Sequence, residues 1–288
     1  MKTKLTFILM LVVFASFMSD KPAYKIYNAK GEASDYDKMI ADVMKADIVL
    51  FGEQHNNPIS HWLQLELTTD AYKTKKEKLV LGAEMYEADN QLLLNEYLSG
   101  KISDKSFKDE AKFWPNDATD YKPLLDFAKK NHLNFVASNV PRRYAAVVNK
   151  KGFEALDSLD AEAKKFMAPL PIKYDPELKC YKDMLQMGAM GGSHTSANLP
   201  KAQALKDATM AYFINKNFSK GNLFIHFNGA YHSDNFLSIG WYLKQINPDF
   251  KIVTISCVEQ EDVSSLEKES QNLADYIICI PQTMTKTY

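Results

Sequence analysis

Cysteine is scarce. There are three, Cys180, Cys257 and Cys279, an odd number with no CxxC pair, so neither a disulfide framework nor a thiolate zinc site organises the chain. Cys257 and Cys279 lie in the apolar, β-branched runs KIVTISCV and YIICI, where cysteine serves as a small buried hydrophobe. Neither charge sign dominates: 35 basic side chains face 36 acidic ones. Without a basic field to neutralise phosphates, a nucleic-acid partner is not expected. Glycine and proline number 11 each without a period, which excludes collagen-like and linker-dominated chains. No repeat recurs at spacings of about 20 to 50 residues, so a solenoid is excluded as well.

The apolar run from Leu5 to Met18, preceded by Lys2 and Lys4, is too short to cross about 30 Å of hydrocarbon comfortably and reads as the core of a secretory signal over residues 1–19. Export to the periplasm or cell envelope is therefore expected. Ala15, Ser16 and Ser19 are small, but Phe17 and Met18 interrupt a clean cleavage pattern; retention as a signal anchor is the alternative. The remainder, 20–288, has room for one large or two small domains at about 150 residues each.

Short apolar stretches recur at 47–52, 78–85, 134–138, 222–229, 251–256 and 276–280. Uninterrupted Val, Ile, Leu and Phe is the mark of strands buried on both faces. Between them, 59–76, 90–98 and 121–130 have helical spacing, and Gly100 suits a helix end. Alternation of strand and helix predicts an α/β fold, a mostly parallel sheet with helices on both faces. From about 153 to 217 the strand signal stops and proline punctuates helical pieces, which reads as a helical insertion carried on the sheet. Within it, MLQMGAMGGSHTS (184–196) holds three methionines, three glycines and His194. The stretch suits a loop between two helices, or one that reaches a ligand.

Open parallel sheets bind ligands beyond the carboxyl ends of their strands. Polar residues collect there: Glu53 and His55 after the first strand, Glu84 at the second, Asn139, Arg142 and Arg143 after the third, Tyr231 and His232 after the fourth. Two carboxylates and two imidazoles in one crevice serve to bind a divalent cation, to exchange protons, or both. Each has a plainer reading alone: His232 as a helix cap, Glu84 as an ion-pair partner of Arg142 or Arg143. Arg142 and Arg143 suit bidentate capture of a carboxylate, or local pairing with Glu84 or Asp120. His61, beside Trp62, reads as surface or packing, His226 as a satisfied core histidine, and His132 as solvated.

The blocks LFGEQHNNPISHWLQLEL, LVLGAEMYEADNQLLLNEYLSG, FWPNDATDYKPLLDFAKKNHLNFVASNVPRRY and FNGAYHSD, in that order, resemble the ChaN-like haem-binding lipoproteins of the Tiki, TraB and erythromycin-esterase superfamily. The resemblance covers about 48–242. It implies an exported α/β protein of the bacterial envelope in haem or iron acquisition, with haem held between two subunits of a homodimer and a possible membrane association. It also implies that Glu53, His55, Glu84 and His232 occupy the metal-binding or acid/base positions of the superfamily's hydrolases. Unlike the lipoproteins, the chain has no cysteine after its apolar run. Haem iron requires an axial side chain, a flat apolar slot and cations for the propionates. Tyr86, Tyr144, Tyr231, His194 and the methionines of 184–190 are candidate ligands, with Arg142 and Arg143 as candidate cations. Two functions remain: haem capture, and metal-dependent hydrolysis through the Glu/His set.

Overall fold

A computed structural model describes residues 21–190 and 196–288. The proposed signal segment and His194 lie outside the described residues. Eight strands form one sheet: β1 (Lys25–Asn28), β2 (Ala33–Ser34), β3 (Ile48–Glu53), β4 (Leu79–Glu87), β5 (Asn134–Asn139), β6 (Leu223–Gly229), β7 (Ile252–Gln260) and β8 (Tyr276–Pro281). Their order is β2-β1-β8-β7-β3-β6-β4-β5. All six expected strands are present and parallel to their neighbours among the six. The short β1 and β2, not apparent from the sequence, add an antiparallel edge.

The described helices are α1 (Tyr36–Val43), α2 (Pro58–Lys75), α3 (Gln91–Leu98), α4 (Asp104–Glu110), α5 (Lys122–Lys130), α6 (Arg142–Lys151), α7 (Ala161–Lys164), α8 (Lys179–Met190), α9 (Leu199–Asn217) and α10 (Ile239–Ile246). Strand residues alternate between two apolar cores. Val49, Phe51, Leu81 and Ile225 meet Leu63, Leu67, Leu94 and Leu125 of the α1–α5 layer. Ile48, Leu50, Val80 and Phe224 meet Val148, Leu205, Ile214 and Leu243 on the opposite face. Period-2 alternation with apolar residues on both sides is why these strands read as unbroken hydrophobic runs.

Residues 153–217 run between β5 and β6. Here α9 packs on the sheet through Leu205, Ala208 and Ile214. The chain leaves β3 for β4 across the α2 face and returns to β6, between β3 and β4, across the α9 face. That reversal opens a crevice at the carboxyl ends of β3, β6 and β4. The expected loop at 184–196 is corrected over 184–190, where helix α8 continues to Met190; residues 191–195 lie outside the described residues. The start of α8 is anchored by buried Cys180 and Tyr181 against Ala204 of α9, and this packing outweighs the glycine-rich composition. All three cysteines are buried and free.

Candidate functional site

Glu53 ends β3, buried. The chain then turns through Gln54, His55 and Asn56, and Asn57 caps α2 by accepting from the Ile59 amide at 3.0 Å, with Pro58 at the first helical position. Glu53 Oε1 lies 2.9 Å from His55 Nδ1 and accepts from Tyr121 Oη at 2.8 Å. Its Oε2 accepts from Gln64 Nε2 at 2.5 Å. A carboxylate on Nδ1 fixes the tautomer and ring orientation of an imidazole, leaving Nε2 as the outward nitrogen. The His55 ring leans on Trp114, centroids 4.8 Å apart, and its side chain retains 34% exposure. Burial alone would lower the His55 pKa, but the Glu53 hydrogen bond and the Glu84 and Glu53 charges prevail and raise it.

The backbone at His55 is held as firmly as the ring. His61 Nε2 lies 3.1 Å from the His55 carbonyl, which also accepts from Asn116 Nδ2 at 2.8 Å. Asn116 donates to Asp120 Oδ2 at 2.6 Å, and His61 Nε2 stands 3.4 Å from the same oxygen. Asp120 and Tyr121 come from a π-helical turn, Asp117–Tyr121, ahead of α5; such turns recur at functional sites. The surface reading of His61 is thus corrected: it is buried among Glu53, Gln64 and Asp120. Adjacent helical residues point about 100° apart, so exposed Trp62 says nothing about its neighbour.

The second group forms on the other face of the sheet. β4 loses register with β5 between Ala83 and Glu87, an irregularity of the kind that re-aims side chains beside sites. Buried Glu84 accepts from the Gly229 amide at 2.8 Å and meets His232 Nε2 at 3.1 Å. His232 Nδ1 is 2.5 Å from Asp207 of α9, which also accepts from Tyr181 Oη at 2.9 Å. One imidazole therefore bridges two buried carboxylates. Despite burial, their charges raise its pKa to about 9. Against its burial, the charge and hydrogen bond of His232, with the charges of His55 and Lys206, hold Glu84 below the usual carboxylate range; burial pushes Asp207 up. The helix-cap reading of His232 does not hold, and neither does pairing of Glu84 with an arginine. Asp207 was missed, although a lone acid among Ala204, Leu205, Ala208 and Ala211 at helical spacing is the signal of a buried-face carboxylate.

The two groups meet at Gly229. A Cβ there would lie 2.7 Å from His55 Nε2 and 3.6 Å from Glu84 Oε2, so only glycine lets the imidazole come this close. Gly52 has a related role: a Cβ would stand 2.8 Å from the Ala230 Cα, where the chain turns out of β6. Glu53, His55, Glu84 and His232 are thus brought together, but as hydrogen-bonded pairs. Among the described residues, no set of three or more His, Cys, Asp or Glu side chains is arranged to hold a metal ion, because the donor atoms are directed at one another.

The remaining candidates are dispersed. Tyr86 is buried with its hydroxyl donating to Asp117 at 2.9 Å, turned away from the crevice. Tyr231 is half-buried and donates to the Cys180 carbonyl. Tyr144 accepts from Arg143 at 3.3 Å. Arg143 pairs with Asp89 at 2.5 Å rather than with Glu84 or Asp120. Arg142 lines a cavity of about 310 Å³ with Glu84, Trp114, Asn139, Asn149 and Lys206. A neighbouring hollow of about 410 Å³ shares Glu87, Trp114, Arg142 and Ala146 and adds Lys112 and Arg143. A third, about 310 Å³, is lined by His55, Tyr231, His232 and Asp234. His226 is the satisfied core histidine expected, between Ser138 at 2.7 Å and Asn228 at 3.1 Å, and burial lowers its pKa to about 4.

Residues 39–243 match the family of haem-binding uptake proteins of the Tiki superfamily, ChaN. The chain belongs to this ChaN family. Its fold is similar to that of ChaN of Campylobacter jejuni, solved with cofacial haem, at a TM-score of 0.65 and 15% identity, covering 88% of this chain and 96% of the other. An erythromycin esterase mutant in its open conformation gives a TM-score of 0.50 at 11% identity, covering 90% and 97%. At these identities the likeness concerns the fold alone. A chloroplastic RETICULATA-RELATED 5 protein of Arabidopsis thaliana is 26% identical over 157 residues, which is 50% of this chain and 21% of that protein's length.

Proposed function

We propose that this chain captures haem in the crevice at the carboxyl ends of β3, β6, β4 and β5. The observation that carries the proposal is the placement of His55. Its Nδ1 is held by Glu53, its ring rests on Trp114, and its Nε2 has no hydrogen-bond partner among the described residues. A single oriented imidazole beside an aromatic wall suits a metal whose other ligands come from a porphyrin. The inward-paired donors around it do not suit a bare divalent ion. Arg142 and Lys206 on the crevice wall supply cations for carboxylates, with Arg142 able to bind in bidentate fashion. When bound, the iron would supply the ligand-exchange or redox chemistry. The protein's own part is to orient His55, to exclude water with Trp114, and to hold the propionates. Tyr86 has no place in this reading, because its hydroxyl is buried against Asp117.

Family membership supports an uptake role for this capture. Export through residues 1–19, iron acquisition, association with the envelope and closure of the crevice by a second copy complete the reading. Haemin titration tests it: a shifted Soret band with saturable stoichiometry is expected, and His55→Ala should change the band position and weaken binding. An unchanged spectrum with the parent protein would remove the proposal.

One observation favours a second reading, metal-assisted or general-base hydrolysis. The Glu53–His55 pair is a carboxylate-oriented base next to a fixed imidazolium, the arrangement that activates water. Ester and amide substrates assayed with the parent and His55→Ala decide it; equal rates would exclude hydrolysis at this site. Metal analysis of protein purified without added metal separates the two, with iron and porphyrin favouring capture and zinc or manganese favouring hydrolysis.

A further inference from the structure

We infer that residues 282–287, beyond both β8 and the family match, form a strap that positions His55, with Thr287 as its positioning residue. The strap is tied at both ends. Its start is fixed by the Gln282 amide donating to the Gln260 carbonyl at 2.8 Å, and Met284 packs on the apolar core. Further along, Lys286 pairs with Glu259, which also accepts from Asn57 Nδ2 at 2.6 Å. Thr287 closes the strap with two bonds: its amide donates to the Asn56 carbonyl at 2.9 Å and its hydroxyl to Asp120 Oδ2 at 2.8 Å.

The contacts of Lys286 and Thr287 lead to His55. Asn56 and Asn57 are the next two residues of the turn that carries it. Asp120 holds Asn116, which with His61 clamps the His55 carbonyl. Thr287 touches neither the imidazole nor the crevice, so it acts through the turn and through Asp120. A tail that merely covered apolar surface would need Met284 alone. The strap instead directs an amide to Asn56, a hydroxyl to the Asp120 carboxylate behind His55, and an ammonium to Glu259, the carboxylate that holds Asn57.

Thr287→Val keeps the shape and the amide but removes the hydroxyl donor; Thr287→Ser restores the donor. In the full chain, the His55 ring signals in the NMR spectrum should move in Thr287→Val and return in Thr287→Ser, while those of exposed His132 stay fixed in both. His55 signals identical in the Val variant and the parent would overturn the strap, as would equal displacement by Val and Ser. A haemin titration adds an arm that rests on the capture reading. Loss of one hydrogen bond of about 0.5–1.5 kcal/mol predicts roughly two- to tenfold weaker binding in Thr287→Val, recovered in Thr287→Ser. A parent that binds haemin with Thr287→Val unchanged overturns the strap. A parent that binds none overturns capture instead, and the ring signals then decide the strap.

Discussion

Replacing His232 by glutamine tests the buried charge arrangement most directly. In the folded chain its imidazole lies between Glu84 at 3.1 Å and Asp207 at 2.5 Å, and its pKa is raised from 6.5 to about 9. A cationic group raised on folding stabilises the fold fully below its unfolded pKa, and that contribution disappears as pH climbs through the folded value. At 1.36 kcal/mol per pKa unit, the shift is worth about 3 kcal/mol, present at pH 6 and mostly gone by about pH 9. Asp207, whose pKa burial also raises, adds a loss of the same sign as pH rises above its unfolded value. Urea unfolding of the parent between pH 6.5 and 9 should therefore show stability falling by about that amount. His232→Gln should be less stable at neutral pH by about 3–5 kcal/mol, because it leaves two buried carboxylates without their cation, and it should lack the parent's alkaline slope. Parallel pH profiles for parent and variant between 6.5 and 9 would refute the assignment of a charged imidazole at this position.

Three further substitutions probe the other side of Gly229. Glu53→Gln removes the carboxylate that supports a positive His55 ring, so the His55 pKa should fall, as followed by NMR titration; an unmoved titration would contradict the role given to the Glu53 contact. Gly229→Ala forces a methyl to within 2.7 Å of His55 Nε2 and should weaken haemin binding at least tenfold, about 1.4 kcal/mol, with little change in the circular dichroism of the fold. Unaltered affinity would place the ligand elsewhere. Tyr86→Phe should cost about 1 kcal/mol in thermal unfolding through the lost bond to Asp117, yet leave the Soret band of the haemin complex unchanged; a displaced band would return Tyr86 to the list of ligands.

The fold was legible where burial leaves a local imprint. β3, β4, β6 and β8 are apolar on both faces, so each appears as a continuous run, whereas β1 has only the four residues KIYN, beside the two-residue edge strand β2, and looks like ordinary loop sequence. Glu53 and His55 were legible as a pair because an offset of two at a strand end brings side chains to one side. Asp207 was not, since its partner His232 lies 25 residues away and on another element. Longer separations still hid Asn116, Tyr121 and Thr287, which reach His55, Glu53 and Asp120 across 61, 68 and 167 residues only once the sheet and its two helical layers are assembled. Glycine suggested a loop from residue 184 onward because composition reports local preference; over 184–190 the packing of α8 on α9 is a tertiary term that composition does not contain.

The sheet itself explains why these two acid–base groups belong to one site. Glu53 and Glu84 point to opposite faces: the first is satisfied by Gln64 of α2 and by Tyr121 ahead of α5, the second by the Gly229 amide and by His232, which Asp207 of α9 holds from its other side. Only beyond the strand ends, where β6 finishes at Gly229, do the layers come together. There the outward nitrogen of His55 sits beside the backbone whose amide holds Glu84. The buried Glu84–His232–Asp207 group keeps its charges fixed by mutual contact, while His55, with a third of its side chain exposed, combines an oriented ring with an outward nitrogen. On the capture reading, a ligand entering over Trp114 would meet the imidazole that Glu53 orients. The buried group acts on that imidazole through Glu84 and His232, whose opposite charges move the His55 pKa in opposite directions.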